Sequence, residues 1–205
     1  PYTDRWAALT AVTGGRYLAD RRVVGRPEEA EGFLRTALDA GHEGVIAKAL
    51  DSPYTPGVRG SRWFKVKAAE RVDCVIVAAD RGSGRRQGWL SNYHLAVRDD
   101  ETGGLAEVGK TFKGLTDREF EAMTARLAAL AVEDDGYTVR VRPEVVVEIA
   151  YNEIQASPRY PSRLALRFAR ITRIRDDKGP ADADTLAGLR ARYAAQSRTQ
   201  ARGAV

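Results

Sequence analysis

The densest chemistry in this chain lies between Glu43 and Lys67, in EGVIAKALDSPYTPGVRGSRWFKVK. Two short apolar runs carry one carboxylate and three lysines, and the loop between them holds two prolines and two glycines. Strand alternation places Glu43, Val45 and Ala47 on one face of the first run and Gly44, Ile46 and Lys48 on the other. In the second run Trp63, Lys65 and Lys67 share a face, opposite Phe64 and Val66. Lys65 and Lys67 then stand about 7 Å apart and repel each other unless an anion lies between them. A phosphate suits that position. A carboxylate beside it suits Mg²⁺, which is held by one or two carboxylates together with phosphate oxygens. The same Lys-x-Lys pattern also serves as a solvated strand edge that deters pairing, so neither run is diagnostic alone.

A second concentration of charge follows far downstream. Arg159, Arg163, Arg167, Arg170, Arg173, Arg175 and Lys178 face only Asp176 and Asp177 across the same stretch, a local excess of +5 that equals the formal charge of the whole chain. The other residues are therefore neutral overall, and the excess marks a surface for a polyanion.

The 205 residues, 43% hydrophobic and 30% charged, suit one large or two small globular domains. No apolar run approaches the length of a membrane helix, and PYTDR does not open a signal peptide, so no membrane partner is expected. The absence of an initiator Met suggests a fragment or a processed chain. The single cysteine, Cys74, lies in an apolar run and reads as a small buried residue. With it, His42 and His94 offer no zinc spacing, and a reducing, cytoplasmic setting fits.

The elements that must position these residues can be read in order. Residues 3–12 form a short helix with Thr3 as N-cap, and 27–40 a second helix with Pro27 in its first turn and Gly41 as its stop. Phe33, Leu34, Ala37 and Leu38 give the second helix a side to lay on the strand EGVIAK. A domain boundary falls at AAER, residues 68–71. Strands are expected at 72–79, 91–98 and 105–110, then a helix opened by the capping box Thr116-Asp117-Arg118-Glu119. Strands at 138–154, interrupted by Pro143, and 164–175 follow, then a helix over 182–195 and a frayed tail. Three strands, a helix and two strands is the order of an OB-fold, a five-stranded Greek-key barrel.

In order and spacing, EGVIAK and WFKVK resemble the fourth and fifth nucleotidyl-transfer motifs of the ATP-dependent DNA ligases, whose superfamily includes mRNA capping enzymes. RFARITRIRDDK is similar to the sixth, OB-domain motif, with Arg175, Asp177 and Lys178 on its R-x-D-K pattern. VGKTFKGLTD at 108–117 and EIQASPRYPSRLALRFAR at 153–170 are similar to OB-domain stretches of bacterial and archaeal ligases. The chain departs from the family in having no K-x-D-G, the motif of the lysine that attacks ATP.

The resemblance implies an α+β, mostly β chain: the C-terminal piece of an ATP-grasp-like nucleotidyltransferase domain (1–68), a hinge (69–71), an OB-fold barrel (72–180) and a C-terminal helix and tail (181–205). It implies ATP and Mg²⁺ or Mn²⁺ as cofactors, with Glu43 on the metal. Val45 or Ile46 would lie against adenine, and Lys65 and Lys67 on the α-phosphate. Arg175, Asp177 and Lys178 would orient the departing phosphates. Nicked duplex DNA and the missing N-terminal portion of the same enzyme are the implied partners of a monomer working at the nucleoid. Arg59, Arg62, Arg85, Arg86, Arg163, Arg167, Arg170 and Arg173 are candidate DNA contacts. Lacking the nucleophile, the chain alone is not expected to self-adenylate. A non-catalytic DNA-binding OB module, or a fragment of an RNA ligase or capping-type enzyme, are the alternatives.

Overall fold

A computed structural model describes residues 1–58, 60–67 and 69–202. They separate into two compact units, residues 1–68 and 69–201. In the first unit, helices α1 (Tyr2–Thr13) and α2 (Pro27–Asp39) precede the antiparallel hairpin of β1 (Gly44–Lys48) and β2 (Trp63–Lys67). Helix α1 begins one residue before the expected cap: Thr3 lies inside the first turn, its hydroxyl on the Asp4 carboxylate 3.3 Å away. Proline at the first position of α2 costs nothing there, because its missing N–H would have no helical partner. Among the described residues of this unit only Ser52 is buried, holding the Trp63 indole N–H at 3.0 Å.

The second unit is built on the sheet β10–β7–β3–β4–β5, formed by β3 (Glu70–Arg81), β4 (Leu90–Asp99), β5 (Gly104–Thr111), β7 (Thr138–Tyr151) and β10 (Arg170–Ile174). The short β6 (Ala131–Asp134) pairs with β7, and β8 (Glu153–Ala156) pairs with β9 (Leu164–Arg167). The sheet curls closed without a ladder between its ends. Thr111 Oγ1 donates to the Ala169 carbonyl at 2.6 Å, Ile171 N–H to Lys113 O at 2.9 Å, and Ser162 Oγ to Glu107 O at 2.6 Å. Alternation fills the interior with Val72, Cys74 and Ile76 from β3, Tyr93, Leu95 and Val97 from β4, and Val145, Val147 and Ile149 from β7. Helix α3 (Asp117–Ala129) packs Phe120, Met123 and Leu127 into the same core, each contributing roughly 1.5–3 kcal/mol by burial. Both halves of its capping box are present between Thr116 and Glu119. This is the expected OB barrel, with the expected helix between its third and fourth strands.

Several boundaries differ from expectation for identifiable reasons. Glu70 and Arg71, assigned to the hinge, are the first rungs of β3, opposite Tyr151 and Ala150. Strand β7 passes through Pro143 unbroken, while the ladder to β3 skips from Arg140 to Val145, so the proline needs no N–H partner. The run 164–175 is two strands, because Phe168 takes a left-handed conformation at φ 57. The last helix, α4 (Leu186–Arg202), starts later than expected and continues through residues assigned to a frayed tail. No described helix is long and apolar enough to cross a membrane.

Candidate functional site

The β1–β2 register pairs Gly44 with Lys67, Ile46 with Lys65 and Lys48 with Trp63, so all six side-chain positions share one face. The expected lysine face is therefore present. Glu43 departs from alternation: it belongs by parity to the opposite face, yet its Oε2 lies 2.6 Å from Lys67 Nζ and 3.7 Å from Lys65 Nζ. The reversal occurs at Gly44, whose φ of 151 and close approach to the partner strand only glycine tolerates. A Cβ there would fall 2.1 Å from the Val66 carbonyl oxygen. The two ammonium groups, and above all the hydrogen bond from Lys67, hold the Glu43 carboxyl below the ordinary carboxylate range. The carboxylate thus occupies the position between the lysines where the sequence led us to expect a phosphate.

Beside this face an open groove of about 700 Å³ is lined by Val45 and Ile46 of β1, Phe33 and Ala37 of α2, and Tyr2 and Trp6 of α1. Ile46 is 54% exposed and stands on the lysine face, whereas Val45 is paired with Val66 on the other. Lys48 is engaged elsewhere, its ammonium 4.3 Å from the Trp63 ring centroid and 5.0 Å from that of Tyr2. Arg62 pairs with Asp51 at 2.7 Å, and Arg59 lies outside the described residues.

In the barrel, Arg175 and Lys178 converge on one carboxylate, Asp73 of β3. Arg175 Nη1 is 3.2 Å from both Asp73 oxygens, and Lys178 Nζ is 2.5 Å from Oδ2. Arg175 also forms a two-point pair with Asp177, at 2.8 and 2.7 Å, whose hydrogen bonds hold the Asp177 carboxyl well below its usual range. Asp73 is fixed by its backbone, whose N–H reaches Asp184 Oδ2 at 2.8 Å and whose carbonyl accepts the Asp184 N–H at 3.0 Å. The sequence reading missed Asp73. An acid in an otherwise apolar strand run, VDCVIV, is the signal that could have found it.

The basic ribbon faces outward. Arg163, Arg167, Arg170 and Arg173 are all exposed. A bulge at Thr172 puts Arg173 on the surface, although it lies two residues after buried Ile171 and parity would bury it too. Between Arg167 and Arg170 stands Phe168, 58% exposed, with the Arg167 guanidinium 5.4 Å from its ring centroid. Arg85 reaches Asp117 only at 3.8 Å and is open to solvent. Arg86 is folded between Phe112 and Phe120, 5.1 and 4.8 Å from their centroids, as a packing group rather than a free cation. Trp89 stacks on Phe120 at 5.8 Å in the same cluster.

Comparison with known proteins identifies the family. The family model described as the ATP dependent DNA ligase domain matches residues 1–67, and that of the ATP dependent DNA ligase C terminal region matches residues 86–178. DNA ligase 1 of Korarchaeum cryptofilum is 57% identical over 199 residues, covering 97% of this chain and 37% of that protein. A probable DNA ligase of Anaeromyxobacter dehalogenans is 54% identical over 194 residues, covering 94% of this chain and 38% of the relative. The chain therefore spans under two-fifths of the length of these curated relatives. Among solved structures, the ligase domain of M. tuberculosis LigD is similar at TM-score 0.50 and 26% identity, over 89% of this chain and 59% of that one. With two regions of the ligase family following one another in order along it, and relatives named as DNA ligases more than half identical over nearly its whole length, this chain belongs to the ATP-dependent DNA ligase family.

Proposed function

We propose that this chain is the part of a nick-sealing DNA ligase that grips the phosphates of ATP from two sides and then holds the DNA. The observation that carries this reading is the convergence of Lys65 and Lys67 on one anionic position beside a groove large enough for a nucleoside. In the nucleotide-bound enzyme the α-phosphate takes that position, and the two ammonium groups stabilise the charge that develops as the adenylyl group moves. Ile46, on the lysine face, lies against the base, and Val45 supports the groove wall. Glu43 fits a divalent cation such as Mg²⁺ or Mn²⁺ as a single hard, ionised oxygen ligand, the remainder coming from phosphate and water. The cation would neutralise phosphate charge.

Arg175, Asp177 and Lys178 form the second grip. Their cations are held ready by Asp73, and they meet the outer phosphates when the barrel closes over the nucleotide. Because Glu70 and Arg71 are laddered into β3, we place the pivot ahead of Glu70. When the barrel opens, Arg163, Arg167, Arg170 and Arg173 face the duplex, with Arg62 and Arg85 as outlying contacts and Phe168 as an apolar probe among the arginines. Arg59 keeps its place in this reading by its position in the sequence.

The sequence holds no K-x-D-G, so the chain by itself binds DNA without chemistry, and the nucleophilic lysine comes from the preceding portion of a single-chain enzyme acting at the nucleoid. Binding of nicked duplex by the 205-residue chain across a salt series tests the DNA-facing part. Four arginine contacts give a slope of log K on log salt of about −3.6, from roughly 0.9 per phosphate. A slope near zero removes the ribbon from the DNA interface. Incubation with labelled ATP and Mg²⁺ leaves this chain unlabelled, and an acid-labile labelled band would overturn the assignment of the nucleophile to the missing portion.

A further inference from the structure

A second basic site lies in the barrel, away from the Asp73 cluster, and neither the ATP grip nor the ribbon alone accounts for it. A pocket of about 430 Å³ opens among β3, β4, β5 and the segments flanking β8 and β9, lined by Lys110, Arg159, Arg167, Asn92 and Tyr160 over a floor at Asp80. Asp80 is 2% exposed, and its carboxylate is saturated: Oδ1 receives His94 Nε2 at 2.7 Å and Thr138 Oγ1 at 2.9 Å, while Oδ2 receives Asn92 Nδ2 at 2.9 Å and Lys110 Nζ at 3.1 Å. The acid is spent inward as the fixed base that stands Lys110 and Asn92 at the pocket wall. Glu107, the other nearby acid, faces His94 Nδ1 at 3.5 Å. Arg159 and Arg167 have no carboxylate within ion-pair distance among the described residues. Gly109 keeps the wall low where β5 passes Leu166: its φ is 149, and a Cβ there would lie 3.7 Å from the Leu166 backbone nitrogen.

We propose that this pocket binds a phosphate group of a nucleic-acid strand, with Lys110, Arg159 and Arg167 as its cations and Asn92 as a neutral donor. The inference rests on the DNA-facing reading of the ribbon and extends it: Arg167 belongs to both, so a strand crossing the ribbon leads one phosphate into the pocket. Three cations against the one carboxylate of Asp80 leave a net positive cavity. Lys110 and Asn92 are strand residues fixed by the buried hydrogen-bond network of Asp80, so that wall needs little ordering on binding.

Binding of nicked duplex is measured by fluorescence anisotropy across a salt series for the full chain and four variants. Arg159→Ala removes an exposed side chain without an ion pair, so the fold should tolerate it. The expected result is a salt slope shallower by about 0.9 and several-fold weaker binding. Arg190→Ala, an equal loss of charge on α4, should leave the slope unchanged. If Arg170→Ala and Arg173→Ala weaken binding and Arg159→Ala does not, the pocket proposal fails and the ribbon stands. If none of them weakens it, both fail. Amide shifts of Gly109 and Lys110 are then followed with inorganic phosphate and, separately, with a 5′-phosphorylated dinucleotide. Shifts with the dinucleotide at far lower concentration support a strand phosphate. Equal shifts with inorganic phosphate overturn the strand assignment in favour of a free anion, and no shift with either overturns the site.

Discussion

Acidification from about pH 6 to about pH 2 tests whether Asp80 anchors the barrel floor as a charge. Burial alone would raise its pKa, but the hydrogen bonds from His94, Lys110 and Thr138 outweigh that and bring it from 3.8 to about 2. A folded value below the unfolded one means that the stabilisation is complete above about pH 4 and is lost as the pH falls through about 2. At about 1.4 kcal/mol per unit, the gap corresponds to roughly 2 kcal/mol. Asp80→Asn keeps the side-chain shape and removes the titration. It should be less stable than the native chain by about 2 kcal/mol at neutral pH, and the difference should shrink toward zero at about pH 2. Urea unfolding of both proteins, followed by circular dichroism and extrapolated to water at each pH, gives the difference directly. Carboxylates remote from the cluster, such as Glu119 and Asp134, titrate equally in both and cancel. Parallel stability curves for the two proteins would refute the reasoning, because Asp80 would then contribute the same whether charged or neutral.

In an enzyme that joins this chain to a K-x-D-G segment, Lys67→Ala should slow adenylate formation on the order of 100-fold and Lys48→Ala less than about 10-fold. Single-turnover labelling with ATP measures both, and equal losses would show that the hairpin faces are misassigned. Asp73→Asn removes the carboxylate shared by Arg175 and Lys178 and should cost the barrel about 2 kcal/mol, less than a fully buried pair because Lys178 is 30% exposed. A urea-measured loss below about 0.5 kcal/mol would refute that anchoring role. Burial pushes the Cys74 thiol above its ordinary range, so it should resist a thiol reagent until the barrel unfolds. Prompt labelling under native conditions would contradict the packing.

Strand parity made the barrel legible from sequence, because β3, β4 and β5 each bury one or both faces in a shared core and their limits fall within two residues of expectation. Parity failed where backbone geometry intervenes. Gly44 swings Glu43 onto the lysine face, the bulge at Thr172 turns Arg173 outward, and the left-handed Phe168 divides what reads as one strand. Thr3 failed as a cap because the chain reaches helical geometry before it. The Asp73 cluster was hidden for another reason: its partners lie 102 and 105 residues away in sequence, and only barrel closure brings them together. The Asp80 floor is similar, its four donors arriving from three different strands.

The cations of this chain divide by whether an internal carboxylate already answers them. Lys65 and Lys67 share Glu43, Arg175 is held by Asp73 and Asp177, and Lys178 by Asp73, so a phosphate arriving at either place must displace or outcompete an existing ion pair. The net affinity is then a difference between two favourable contacts, which would suit the proposed ligase, whose nucleotide-binding groups release AMP and pyrophosphate in every cycle. Arg159, Arg163, Arg167, Arg170 and Arg173 have no such internal competitor among the described residues, so a strand phosphate meeting them displaces only water and counterions. In the proposed function, transient grips on nucleotide and a standing grip on DNA thus follow from the placement of two aspartates and one glutamate. Converting one class into the other should need only the removal of a carboxylate, since Asp73→Asn leaves Arg175 with Asp177 alone and frees Lys178 to bind phosphate in the open barrel.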